Sequence, residues 1–301
     1  MYLAIRTINL MSLDYLGIAR QGKNQWWRYV LGIFLSLFFW VFIGGIASIS
    51  MVFFLTGDLE TESVMTFIKS RSIEVFVVNN ILFVFWFWGT VLAVRGIHGR
   101  SAWGLVGADQ GINWWRFSYG FVVWFIIAMI PQFIALWMSP GEYKFDFDIN
   151  KWPFAFLMVM ILTPIQTSAE EIFFRGYLLQ GMGLITRQPL VLIFSNGLLF
   201  MLPHLGNPEV ANGFFWVALQ YFAIGVFLAF ITLQDNRLEL ALGLHAANNI
   251  THIFFTTSDS ALGTPALWTV KPSPAGFMDI ALVLVSISIA YYLFFHKRLW
   301  S

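Results

Sequence analysis

The sequence predicts an all-α fold, a polytopic transmembrane helical bundle of about eight helices with both termini cytoplasmic. Two observations lead there. Of 301 residues, 58% are hydrophobic and only 11% charged, with a mean hydropathy of +0.73, whereas a soluble domain carries about 25% charged residues. The apolar residues are gathered into uncharged runs at 29–57, 75–94 and 117–138, each long enough for the roughly 20 residues of a spanning helix. Backbone groups cannot go unpaired in hydrocarbon, and the alternating pattern of a barrel strand is missing, so helices are the remaining solution.

Taken in order, residues 1–27 form a segment with Arg6, Arg20 and Lys23 but no compact apolar core or small-residue cleavage site. It is expected to stay attached and lie along the interface. Residues 28–301 then make a single membrane domain. The first three spans are the uncharged runs. Five further apolar lengths, at 153–180, 190–206, 213–233, 238–257 and 276–295, are interrupted by polar residues but still suffice, the fifth of the eight spans being the shortest. The tripeptide Trp26-Trp27-Arg28 recurs as Trp114-Trp115-Arg116 at the start of the first and third spans. Indole rings favour the headgroup region, so both read as interface anchors.

Charge sets the orientation. With eight spans, one side receives Arg6, Arg20, Lys23, Arg28, Arg95, Arg100, Arg116, Arg187, Arg237, Lys297 and Arg298, and the other Lys69, Arg71, Lys144, Lys151 and Lys271 among ten acids. The positive-inside rule, which counts Lys and Arg near helix ends, points the first side to the cytoplasm. The chain has no cysteine, which excludes disulfides, thiolate catalysis and Cys-ligated metal.

Ionisable groups inside a spanning helix are costly unless paired or wetted, so each asks for a reason. The fourth span carries Ser168-Ala169-Glu170-Glu171-Ile172-Phe173-Phe174-Arg175. Glu171 and Arg175, four apart, can pair on one face, which leaves Glu170, turned about 100° away, free for another role. The fifth ends in Phe200-Met201-Leu202-Pro203-His204, and a lone His there is ordinarily structural. The seventh carries His245, Asn249 and His252 at i, i+4 and i+7, a polar stripe better explained by a wet cavity than by three separate interhelical bonds. At 1.5 Å per residue from the cytoplasmic helix ends, Glu170, His204 and His245 lie at about 16, 21 and 10 Å, close enough to meet near mid-membrane, with access from the cytoplasm if a cavity opens there.

Glu-Glu-x-x-x-Arg at 170–175, Phe-x-x-x-His at 200–204 and His-x-x-x-Asn at 245–249, in that order on separate helices, resemble the CAAX protease and bacteriocin-processing family. This family, also called CPBP or ABI, includes the type II CAAX prenyl endopeptidases. The resemblance implies an eight-helix intramembrane endopeptidase with its catalytic core at about 150–260. It implies Glu170 as the base that activates water, His204 as its positioning partner, and His245 with Asn249 as the oxyanion pair. Glu171 and Arg175 become structural support, while His252 and Asn248 lie outside the family motif and keep open roles.

The chemistry stands without the name, because amide hydrolysis needs a base, a held water and donors aimed at the developing oxyanion. The expected mechanism uses no cofactor. The alternative is a zinc site, since Glu170, His204 and His245 also make a two-His, one-Glu ligand set, although His-Glu-x-x-His is absent. Outside catalysis, mid-membrane carboxylates and histidines also suit an ion-coupled transporter, which the lack of an inverted repeat disfavours, or a non-catalytic membrane protein. The partners expected are the bilayer, in a prokaryotic plasma membrane, and a peptide or membrane-protein substrate, with no nucleic acid.

Overall fold

The computed structural model describes residues 15–70, 72–109, 111–257 and 266–296. Arg6, Arg71, Lys297 and Arg298 of the charge balance lie outside the described residues. Six helices are long and apolar enough to cross a membrane: α1 (Trp26–Thr56), α3 (Ile73–Ile97), α4 (Trp114–Met138), α5 (Trp152–Met182), α7 (Phe214–Asp235) and α9 (Phe277–Phe295). The chain is a multi-pass integral membrane protein. Between these helices lie the amphipathic α2 (Thr61–Ser70), the shorter apolar α6 (Pro189–His204) and α8 (Glu239–Ile250).

Local chemistry sets the ends. Gly57, at φ +83°, closes α1 in the left-handed conformation that glycine adopts without strain. Asn113 opens α4 by accepting from the amides of Trp115 and Arg116 through its side-chain oxygen. Pro189 takes the first position of α6, where no amide hydrogen is needed.

The seventh predicted span is shorter than expected. The helix over 238–257 ends at Ile250, and Thr251–Ile253 form a tight turn before β2 (Phe255–Thr257). Twelve residues rise only about 18 Å against a hydrocarbon core of roughly 30 Å, so α8 must be enclosed by protein. It is: every residue from Glu239 to Ala247 is buried, with α4, α5 and α7 packed around them. Non-helical backbone at such depth is tolerated where protein surrounds it. Here β2 runs parallel to β3 (Trp268–Val270), whose other edge pairs antiparallel with β1 (Tyr143–Phe145). This three-stranded patch is the one addition among the described residues to an otherwise all-α fold.

Hydrogen bonds bring the two ends of the described chain to one face. Lys23 N reaches His98 O at 2.8 Å, Arg28 binds the Ile97 carbonyl, Arg116 pairs with Asp235, and Tyr119 Oη reaches Leu293 O at 2.9 Å. The starts of α1 and α4 and the ends of α3, α7 and α9 therefore share a level. Arg237 latches the 98–113 loop to this face through Asp109, Glu239 and the Gly111 carbonyl, and its guanidinium holds the Asp109 carboxyl below the ordinary range. Under these ends lies the main core, with Trp86, Phe173, Tyr177, Leu228, Ile231 and Leu240 among its members.

α8 packs tightly against α4 because each presents a glycine to the other. A Cβ on Gly120 would stand 2.6 Å from Leu240 O, and one on Gly243 would overlap Phe117 O. Small residues at such crossings let backbones approach within the membrane. Gly243→Ala is expected to lower stability by about 1–3 kcal/mol or more through overpacking. Gly45→Ala, with open space around its Cβ, should be neutral or gain up to about 1 kcal/mol. Thermal unfolding of both variants in detergent checks the contrast, and equal behaviour would refute the packing account.

Candidate active site

The second half of α5 carries the first group of polar residues. Glu171 and Arg175 pair as the spacing predicts, Nη1 to Oε1 at 2.8 Å, both side chains fully buried. Arg175 also donates to the Gly225 carbonyl of α7 at 3.2 Å and lies 4.3 Å above the Phe200 ring of α6. Glu171 Oε1 meets His245 Nδ1 of α8 at 2.7 Å. One ion pair thus joins four helices. From Ile172 to Leu178 the helix widens into a π segment, a distortion that often marks functional sites.

Glu170 faces elsewhere, as expected. Its Oε2 lies 3.7 Å from His204 Nε2 and 3.9 Å from His245 Nε2, beyond hydrogen-bond reach, and no described group bonds to it directly. Partner chemistry assigns the ring protons. His204 Nδ1 is 2.7 Å from Phe200 O, a carbonyl that only accepts, so Nδ1 carries the hydrogen and Nε2 of the neutral ring accepts. His245 Nδ1 likewise donates to the Glu171 carboxylate. With neutral rings, three acceptor atoms converge, and such lone pairs need a hydrogen-bearing or cationic species between them.

The spacing bears on which species. A tetrahedral zinc with bonds of about 2.0–2.1 Å places its ligand atoms roughly 3.3–3.4 Å apart. The carboxylate-backed His245 has the right chemistry for a metal ligand, but the two measured separations are wider by a few tenths of an ångström. Among the described residues no group of three His, Asp or Glu side chains is arranged to hold a metal ion.

Asn249 lies one turn beyond His245 on the same helix, as the stripe predicts. His252 departs from that stripe, because α8 ends at Ile250 and His252 sits in the following turn. Asn248, whose role the sequence leaves open, holds Asn249. Trp124 Nε1 of α4 donates to Asn248 Oδ1 at 3.2 Å, and Asn248 Nδ2 donates to Asn249 Oδ1 at 3.1 Å. An indole N–H can only donate, so it fixes the direction of both amides and leaves the Asn249 NH2 as the group available to a ligand.

Three further residues join the site without a sequence signal. The Tyr221 ring of α7 lies 4.5 Å from the His204 ring, and its hydroxyl is held by Asn207 Nδ2 at 2.9 Å and by Glu209. In the sequence Tyr221 looks like any aromatic residue of an apolar span, and nothing there brings it to the loop residues.

Exposure is graded along the site. The side chains of Glu170 and His245 are 6% and 5% exposed, but that of His204 is 18% exposed, and along α8 exposure begins at Asn248. Exposure thus rises toward the ends of α6 and α8.

A family model described as type II CAAX prenyl endopeptidase Rce1-like matches residues 149–251, the stretch that contains all three motifs. The uncharacterized protein YyaK of Bacillus subtilis (strain 168) is 33% identical over 291 residues, covering 92% of this chain and 95% of that protein. No solved structure matches the chain.

The ion pair makes a stability prediction. Glu171→Ala and Arg175→Ala each strand a fully buried partner charge, which typically costs about 3–5 kcal/mol. Both should sharply reduce monodisperse protein in detergent, whereas Glu170→Gln, which replaces a carboxylate with no direct partner, should not. Equal yields from all three would show that the pair does not hold the fold.

Proposed function

The chain belongs to the Rce1-like family of type II CAAX prenyl endopeptidases, and on that premise we propose that it hydrolyses a peptide bond with a water activated by Glu170. The observation that carries this reading is the convergence of Glu170 Oε2 with the two Nε2 atoms at 3.7 and 3.9 Å. A water between Glu170 and His204 donates one hydrogen to each, which points its lone pair at an incoming carbonyl carbon. Glu170 takes the proton as the C–O bond forms, then returns it to the amine as the C–N bond breaks, so the carboxylate is regenerated.

The developing oxyanion needs donors. Asn249 can donate as it stands, because its oxygen is already engaged by Asn248. His245 donates from Nε2 only when it carries both protons, with Glu171 accepting at Nδ1 and offsetting the charge of that form. Phe200 packs between these parts, 4.4 Å from the His204 ring and 5.7 Å from that of His245.

A zinc-dependent reaction is the second reading, favoured by the carboxylate behind His245. Glu170, His204 and His245 would hold the ion, which would supply a more acidic bound water. The sequence lacks the His-Glu-x-x-His pattern of zinc peptidases, so the metal-free reading comes first. Elemental analysis of the purified, active protein tests it: activity with far less than one metal per chain is expected, and loss of activity on chelation with recovery on adding zinc would reverse the order.

Hydrolysis of a mixed library of internally quenched peptides in detergent tests the reaction itself. Glu170→Gln should lower turnover by about 10²–10⁴-fold, the usual contribution of a positioned base, with folding intact. If the wild-type protein cleaves nothing in that library, the peptidase reading yields to a transporter or a non-catalytic role.

The amide relay makes a sharper prediction. Asn249→Ala should reduce turnover by about 10²–10³-fold with affinity nearly unchanged, the loss typical of one oxyanion donor. Asn248→Asp should do comparable damage, because a carboxylate would accept from the Asn249 NH2 and turn the Asn249 oxygen toward the substrate. Asn248→Ala, which removes the guide without inverting it, should cost less than either. An Asn248→Asp variant as active as wild type would remove the relay from the mechanism.

A further inference from the structure

We propose that Gln166 is a substrate-binding residue, whose side-chain oxygen accepts one backbone N–H of the peptide beside the bond that is cleaved. The assignment depends on the peptidase reading above and adds to it a residue that none of the three motifs contains.

Gln166 stands one turn before Glu170 on α5, where the helix is still regular and the π segment has not begun. Side chains four apart on a helix lie one above the other, with Cβ atoms about 5–6 Å apart. Thr163, Gln166 and Glu170, at i, i+3 and i+7, share one stripe, and all three are buried. Tyr15 fixes the relative direction of α5 and α8. Its hydroxyl lies 3.3 Å from Arg175 O in the last part of α5, and its amide donates to Asn236 Oδ1, just before α8, at 2.7 Å. The end of α5 and the start of α8 therefore lie together, and the two helices run in opposite directions. Glu170 and His245 meet between them, so one turn before the first and one turn after the second is the same layer. Gln166 is thus level with Asn249. One step further along, Phe76, Val159, Ile250 and Ile253 pack into an apolar cluster. The Gln166 layer is polar and lies between that cluster and the catalytic groups.

Unmet hydrogen bonding marks this layer as a binding surface. Gln166 is 7% exposed, and its Oε1 is buried with no partner among the described residues. Asn80 of α3, one turn past Phe76, supplies a second such atom: the residue is 4% exposed, Nδ2 donates to Phe76 O at 2.9 Å, and Oδ1 is buried without a partner. Buried amide oxygens are ordinarily satisfied, and an unmet one costs stability. Both oxygens only accept, so the group that completes them carries hydrogens. The ligand is also neutral in this region, because Asn80, Thr163, Gln166, Asn248 and Asn249 offer no charge to balance one. A peptide backbone meets both conditions. With its scissile carbonyl oxygen on the Asn249 NH2, an extended chain brings a further N–H within one residue, about 3.3–3.6 Å along. Gln166 then reads the backbone rather than a side chain, which leaves the amino acids on either side of the bond free to vary at this contact.

The test uses the full-length chain in detergent and the quenched peptide that the wild type cleaves fastest. Gln166→Met keeps the unbranched side chain and removes its amide. The variant should melt at or above the wild-type Tm, because an unmet polar atom has gone, while KM rises roughly tenfold, the worth of one hydrogen bond, with kcat within a few fold. In a second series, the backbone N–H groups flanking the scissile bond are replaced one at a time by N-methyl. One position should cost the wild type about tenfold in kcat/KM and cost Gln166→Met nothing. Gln166→Leu takes its place if Gln166→Met does not fold. A lower Tm with unchanged KM would make Gln166 a structural amide completed by water and overturn the assignment, as would N-methyl penalties equal in both proteins at every position. Either result leaves the peptidase reading standing, whereas a wild-type protein that cleaves no peptide removes both.

Discussion

Glu171 and Arg175 bury two full charges with no solvent exposure, and charges placed there must be compensated within the fold. The compensation has a direction. Arg175 turns Nη2 to α7 and its planar face to α6, and Glu171 turns an oxygen to His245 of α8. The pair thus draws together the helices that carry Glu170, His204 and His245. It also sets the tautomer of His245, because an ionised carboxylate can only accept at Nδ1. Stability and site geometry depend on the same few atoms, which is why the neighbouring glutamates Glu170 and Glu171 have such different surroundings.

A second constraint is the length of α8. A twelve-residue helix cannot face lipid from one side of a bilayer to the other, so its neighbours must enclose it. Enclosure places His245 and Asn249 where water is scarce, and polar interactions there are stronger than in bulk solvent. The short helix also ends early, leaving Thr251–Ile253 and β2 to line the far side of the bundle. The glycines at 120 and 243 make this possible by letting α4 and α8 approach closely enough to close the near side.

Much of this was legible in the residues. Apolar length located the helices, and four-residue spacing foretold the Glu171–Arg175 pair. The ordered Glu-Glu, His and His-x-x-x-Asn motifs selected three of the groups that the fold brings together. The rest depended on contacts between distant helices, which no local pattern encodes. Hydropathy extended the seventh span to 257 because Ile253, Phe254 and Phe255 are apolar in a turn and strand just as they would be in a helix, and His252 was thereby placed on a stripe it leaves. Asn248 points away from Asn249 on an ideal helix, yet its amide reaches back to its neighbour once Trp124, from a span more than a hundred residues earlier, occupies its oxygen. Tyr221 was invisible for the same reason.

The relay from Trp124 shows how a membrane helix can give direction to a group that has none of its own. A side-chain amide presents an oxygen and a nitrogen of nearly equal shape, so sterics alone leave Asn249 free to offer either one to a carbonyl oxygen. Only the nitrogen can stabilise negative charge there. The indole hydrogen resolves the ambiguity two bonds upstream, since it accepts nothing and so commits Asn248, and through it Asn249, to one orientation. In a site where solvent is scarce, water cannot correct a wrongly turned amide at low cost. Orientation has to be supplied by protein, and the supplier must be a group whose hydrogen-bonding sense cannot be reversed. Trp124, 3% exposed and anchored in the core, meets both conditions, which a serine, threonine or second asparagine at that position would not.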